Sequence, residues 1–69
     1  MAESIEAREQ SICSMYRDGV SLRTLQAAFG MGELAIINVL RSHGVVQPEP
    51  GEGEAAFLDR VRHDVKHAA

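Results

Sequence analysis

Apolar residues recur at helical spacing in four separate segments of the chain. In the first, Ile5, Ile12, Met15 and Tyr16 fall on one side; Ser4 can cap its start, Glu6 lies in its opening turn, and the helix should run to about Arg17. Ser21 is a plausible N-cap for a second helix, with Leu22, Leu25 and Phe29 at i, i+3 and i+7 turned inward. Thr24 stands where a capping box would place glutamate, so this cap is expected to be half made. The third helix holds Ile36, Val39, Leu40 and His43 at i, i+3, i+4 and i+7, with His43 expected to cap its end.

Three matching stops divide these segments: Asp18-Gly19-Val20, Phe29-Gly30-Met31 and His43-Gly44-Val45. A glycine closes a helix in the left-handed conformation, and the apolar residue after it folds back onto the last turn, as Val45 should over Leu40. Gly30 carries the most information, because residues 21–29 and 33–42 are joined through it with almost no linker. That spacing predicts a helix-turn-helix, and with the first helix a three-helix domain over residues 1–46.

The composition changes after Val46. Residues 47–54 hold Pro48, Pro50, Gly51 and Gly53 beside Glu49, Glu52 and Glu54, with nothing apolar to bury, which reads as an extended or flexible acidic linker. A C-terminal amphipathic helix follows within 55–69, its stripe made by Phe57 or Leu58, Val61 and Val65, with Asp59, Arg60, Arg62 and Asp64 on the remaining surface. Such a tethered stripe must cover either its own bundle or the same helix of a second subunit. A homodimer is the more useful outcome for a small DNA reader, with Phe57, Leu58, Val61 and Val65 as its candidate contacts, and packing in cis or in trans stays open at this point.

At 69 residues the chain supports one small domain with a marginal core, too small for an enzymatic pocket, so no enzyme and no cofactor is expected. It has no long apolar run, and its acidic, polar start lacks the basic then apolar order of a secretory signal; it reads as cytoplasmic, with no membrane partner. The single cysteine, Cys13, beside Ile12, reads as a small core hydrophobe. The net charge of -3 argues against coating nucleic acid through bulk electrostatics. Most of the acid lies at the ends; between Gln10 and Val46, Arg17, Arg23 and Arg41 face Asp18 and Glu33, leaving that stretch at +1.

The run from Tyr16 through Ser21, Phe29, Gly30 and Met31 to Val39, Leu40, His43, Gly44 and Val45 resembles the homeodomain-like helix-turn-helix of resolvases, transposases and small phage regulators. The resemblance covers roughly residues 10 to 46 and is specific for the fold more than for a function. It implies Gly30 as the turn, Phe29 and Met31 as its apolar flanks, and Ile36 and Val39 as the anchors of the recognition helix. Gln26 departs from the small residue usual four places before the turn. Gly32, Glu33, Leu34 and Ala35 depart from the serine or threonine and polar or basic residues that usually open the recognition helix.

The expected fold is therefore all-α, a three-helix helix-turn-helix bundle plus a tethered C-terminal helix, and the expected function is that of a small DNA-binding regulator of transcription or recombination. On this reading Gly32, Glu33, Leu34, Ile37 and Asn38 face base edges of double-stranded DNA in the major groove. Asn38 would pair with adenine, Glu33 accept from a cytosine amino group, and Leu34 or Ile37 touch thymine methyls. Ser21, Arg23 and Arg41 would hold phosphates. Each has a plainer alternative: a solvated Asn38, a Glu33 matched to the helix dipole, a solubilising Arg41.

A second class competes with DNA. Leu34, Ile37, Asn38 and Arg41 form a stripe at i, i+3, i+4 and i+7 opposite the core stripe, and an exposed apolar stripe marks protein interfaces. The alternative is a phage-encoded or regulatory protein that uses this fold to bind and inhibit a protein partner. Asp59, His63 and His67 share one helix side at a spacing that could hold a metal, but histidines near a helix C-terminus are more simply cations favoured by the dipole. Gly51-Glu52-Gly53 follows no strand and is no dinucleotide fingerprint.

Overall fold

A computed structural model describes residues 4–63. Among these residues the chain forms four helices and no strand: α1 (Ile5–Arg17), α2 (Leu22–Phe29), α3 (Glu33–Ser42) and α4 (Glu54–Arg62). The all-α expectation holds. Val65 and His67 lie outside the described residues, and no described helix is long and apolar enough to cross a membrane.

The first two helices start on serine caps. Ser4 Oγ accepts from the Ala7 N–H at 3.0 Å, and Ser21 Oγ accepts from the Thr24 N–H at 3.2 Å. Thr24 adds to the second cap in its own way, its Oγ1 accepting from the Ser21 hydroxyl at 3.0 Å. Helices α3 and α4 start on Gly32 and Gly53, with no side-chain cap. Each instead carries a glutamate in its first turn, Glu33 and Glu54, where negative charge meets the exposed N–H groups.

The three glycine stops close alike. Beyond each glycine the apolar residue donates its N–H five residues back: Val20 to Met15 O at 3.0 Å, Met31 to Gln26 O at 3.2 Å, and Val45 to Leu40 O at 2.8 Å. This is the hydrogen bond that satisfies a free C-terminal carbonyl, and Val20, Met31 and Val45 all pack against the core. At the α2–α3 corner Gly30 has φ +64°, and a Cβ built there would meet nothing within 4 Å. The glycine is thus required by the backbone angle alone. With only residues 30–32 between the helices, α3 must leave the corner at once in a new direction.

One core joins all four helices: Ile12, Cys13 and Tyr16 from α1, Leu22 and Leu25 from α2, Ile36, Ile37, Val39 and Leu40 from α3, Phe57 and Val61 from α4. Two expectations are corrected here. Ile37, read as outward-facing, is fully buried. Phe57 and Val61, read as a dimer contact, are buried in cis within the chain's own core, and Leu58 packs partly buried against it. The two corrections have one cause. A fourth helix laid beside the three-helix bundle widens the covered arc of α3 from the Ile36, Val39 and Leu40 side to include Ile37. Cys13 is a core residue, and burial pushes its thiol upward from the ordinary value, as suits an inert side chain.

The segment before α4 turns instead of trailing. Glu52 N–H donates to Glu49 O at 2.9 Å, while Glu52 Oε1 accepts from the Glu49 N–H at 2.9 Å. Arg60 then reaches back from α4, with Nε on Glu52 Oε2 at 2.9 Å and Nη2 on Gln47 O at 2.7 Å. Acids that read from sequence as solvating charge fix the return path of the chain.

Candidate functional site

Helix α3 has three faces. Ile36, Val39 and Leu40 enter the core with α1 and α2. Glu33, Ile37 and Arg41, spaced i, i+4 and i+8, form a second face along which α4 runs antiparallel. Its first residue, Glu54, meets Arg41 near the end of α3, and its last, Arg62, meets Glu33 at the start of α3. The third face carries Leu34, Asn38 and Ser42, with Gly32 just before the helix, and is open to solvent. Leu34 is 55% exposed, one of two large apolar side chains left outside among the described residues; the other, Ile5, lies at the start of α1.

The edges of the covered face are electrostatic. Arg41 donates from Nη1 and Nη2 to Glu54 Oε2 and Oε1, both at 2.8 Å, a two-pronged geometry that lysine does not provide. Its guanidinium also lies 4.8 Å from the centre of the Phe57 ring, with that of Arg60 at 5.7 Å. At the other end Arg62 holds Glu33 through Nε at 3.0 Å and Nη2 at 2.8 Å. The hydrogen bonds from Arg62 hold the Glu33 carboxyl below its usual range, and those from Arg41 do the same for Glu54. Glu52, gripped by Arg60 and by the Glu49 N–H, is lowered to about 2.

The sequence-predicted site residues therefore separate. Gly32, Leu34 and Asn38 stay together on the open face. Ile37 leaves the set because it is buried. Glu33 remains at the edge of the open face, its carboxylate already engaged by Arg62. Among the phosphate candidates, the Ser21 hydroxyl is committed to the cap of α2, and Arg41 is engaged by Glu54. Arg23, on the first turn of α2, is exposed and makes no ion pair with any described residue.

His63 pairs with Asp59, Nδ1 lying 3.2 Å from Oδ1, but among the described residues no three ligating side chains gather as a metal site would need. His43 does more than cap α3: its Nε2 lies 2.9 Å from Glu9 Oε1, clipping the end of α3 to α1. Glu54, Arg60 and Arg62 were not singled out by sequence reasoning, which placed them in the linker or on a solvated helix surface. Their partners lie 8 to 29 positions away, beyond the reach of helical periodicity.

Set against family models, curated proteins and solved structures, the chain matches none.

Proposed function

We propose that this chain is a small DNA-binding regulator of helix-turn-helix type, with α3 as the element that enters the major groove. The observation that carries the reading is the Gly30 corner. It turns the chain straight from α2 into α3, which packs in the core on one side and keeps Gly32, Leu34 and Asn38 on one open face, while Arg23, uncommitted to any described carboxylate, stands at the start of α2.

Each part has a chemical task. The Asn38 carboxamide both donates and accepts, the pattern that adenine presents in the major groove, and Leu34 suits a thymine methyl. Gly32 lets the backbone approach closely. Arg23 and the N–H groups at the Ser21-capped end of α2 would meet backbone phosphates, which fix register. The regulatory effect would come from occupying or marking an operator in transcription or recombination. A symmetric pair on two half-sites would multiply this small contact set; it would meet through a surface other than Phe57 and Val61, which the chain's own core uses.

One observation favours a second reading. Leu34 is a large apolar side chain held in water at the centre of the open face, and on a chain of net charge -3 such a residue also suits a protein partner. Salt separates the two. Binding of the purified protein to a pool of random duplexes, followed from low to physiological salt, should weaken steeply if phosphates are contacted. No binding at low salt would transfer the function to the protein-partner reading.

A further inference from the structure

We propose that Glu54 is a built-in stand-in for a DNA phosphate: it holds Arg41 in the free protein and is exchanged for the nucleic-acid backbone when α3 enters the groove. The inference rests on the DNA reading above and adds to it a residue that tunes affinity from outside the reading helix.

The geometry is that of a displaceable anion on a prepared cation. Arg41 lies in the last turn of α3, one turn beyond Asn38, where the helix would pass a strand of the duplex. Glu54 presents two oxygens to its two terminal nitrogens at equal distances of 2.8 Å. Two oxygens of a phosphate diester can take the same pair of parallel N–H bonds. The Arg41 side chain keeps 34% of its surface open and that of Glu54 59%, so the pair sits in water and can be entered from outside. Glu54 has Arg41 as its one side-chain partner among the described residues.

The other two carboxylate clamps are built differently. Glu52 is only 14% exposed and also accepts from the Glu49 N–H, so it is locked into the turn before α4. Glu33 is 31% exposed and neutralises Arg62 on α4. Of the three clamps, only that of Glu54 pairs an arginine of α3 with a mostly hydrated carboxylate. The Phe57 ring beneath Arg41 keeps the guanidinium in place while its partner changes. An exposed ion pair contributes little to stability, so the exchange costs the fold little.

The test compares Glu54→Gln with Glu49→Gln, which removes the same charge from an exposed glutamate whose side chain holds no arginine, in the full chain and on the random duplex pool at fixed low salt. Both should keep the helical circular dichroism of the parent. Glu54→Gln should tighten binding roughly 1.4-fold to fivefold, the size of an exposed ion pair, beyond any gain in Glu49→Gln, and the extra gain should vanish in the Arg41→Gln background. Equal effects of the two glutamate variants, or a gain that survives Arg41→Gln, would overturn the exchange and leave the DNA reading standing. Absence of binding by the parent and every variant would overturn both.

Discussion

Arg62 closes on Glu33 with Nε at 3.0 Å and Nη2 at 2.8 Å, tying the last turn of α4 to the first turn of α3 across 29 positions of sequence. Together with the Arg41–Glu54 pair at the opposite end, it brackets the stretch where Phe57 and Val61 are buried. Helix α4 is thereby aligned in register with α3 and decides which of its residues meet solvent.

Phe57 tests whether α4 belongs to the core. It is fully buried with guanidinium groups over its ring, so Phe57→Ala should cost about 3 to 5 kcal/mol, much of the stability of a domain this small. Urea denaturation followed by circular dichroism reads this out. An unchanged midpoint would mean that α4 contributes nothing to the fold.

Gly30 tests the corner. Since no atom lies within 4 Å of an added Cβ and φ is +64°, Gly30→Ala should lose about 1 to 2 kcal/mol through backbone conformation alone. Gly30→Asn should lose less, because asparagine tolerates the left-handed region. A thermal melt orders the three proteins; equal stability of all three would contradict a left-handed closure at this residue.

Much of this architecture is legible in the sequence, and the boundary is physical. Ser4, Ser21, Gly19, Gly30 and Gly44 act within one helical turn of their own position, so their caps and closures can be read locally. Ile37 could not be placed that way: at the edge of the core arc, its burial depends on what lies beside α3. The stripe of Phe57 and Val61 is equally visible whether it covers its own chain or another, and the ion pairs that hold it in cis join residues far apart. The open face was legible in part, with Asn38 and Leu34 outside as expected and the set reduced by the burial of Ile37 and the pairing of Glu33 and Arg41.

Acid should loosen the α4 return. The folded carboxyls of Glu33, Glu52 and Glu54 lie below their ordinary value of 4.5, Glu52 at about 2. A depressed folded pKa stabilises above the unfolded value and is lost as pH falls through the folded one. Stability should therefore decline from about pH 5 toward pH 2. In Arg60→Gln the lowest part of that decline should flatten, since Glu52 then titrates nearer its ordinary value. Identical pH profiles for the two proteins would contradict the Arg60–Glu52 clamp.

Asn38 and Leu34 separate reading from folding. Both are exposed, so alanine at either should change stability by no more than about 0.5 kcal/mol. On a duplex selected from the pool, Asn38→Ala should lose about 1 to 3 kcal/mol of sequence-specific affinity. Unchanged affinity and base preference in a competition assay would remove Asn38 from the readout.

The most direct test of the central claim, that the Gly30 corner presents α3 to the major groove, is a titration of the nitrogen-15-labelled protein with duplex DNA at low salt. The account predicts amide shifts concentrated at Gly32, Leu34 and Asn38, with a second group at Ser21 to Arg23. Shifts confined to α1, or no shifts at all, would contradict it.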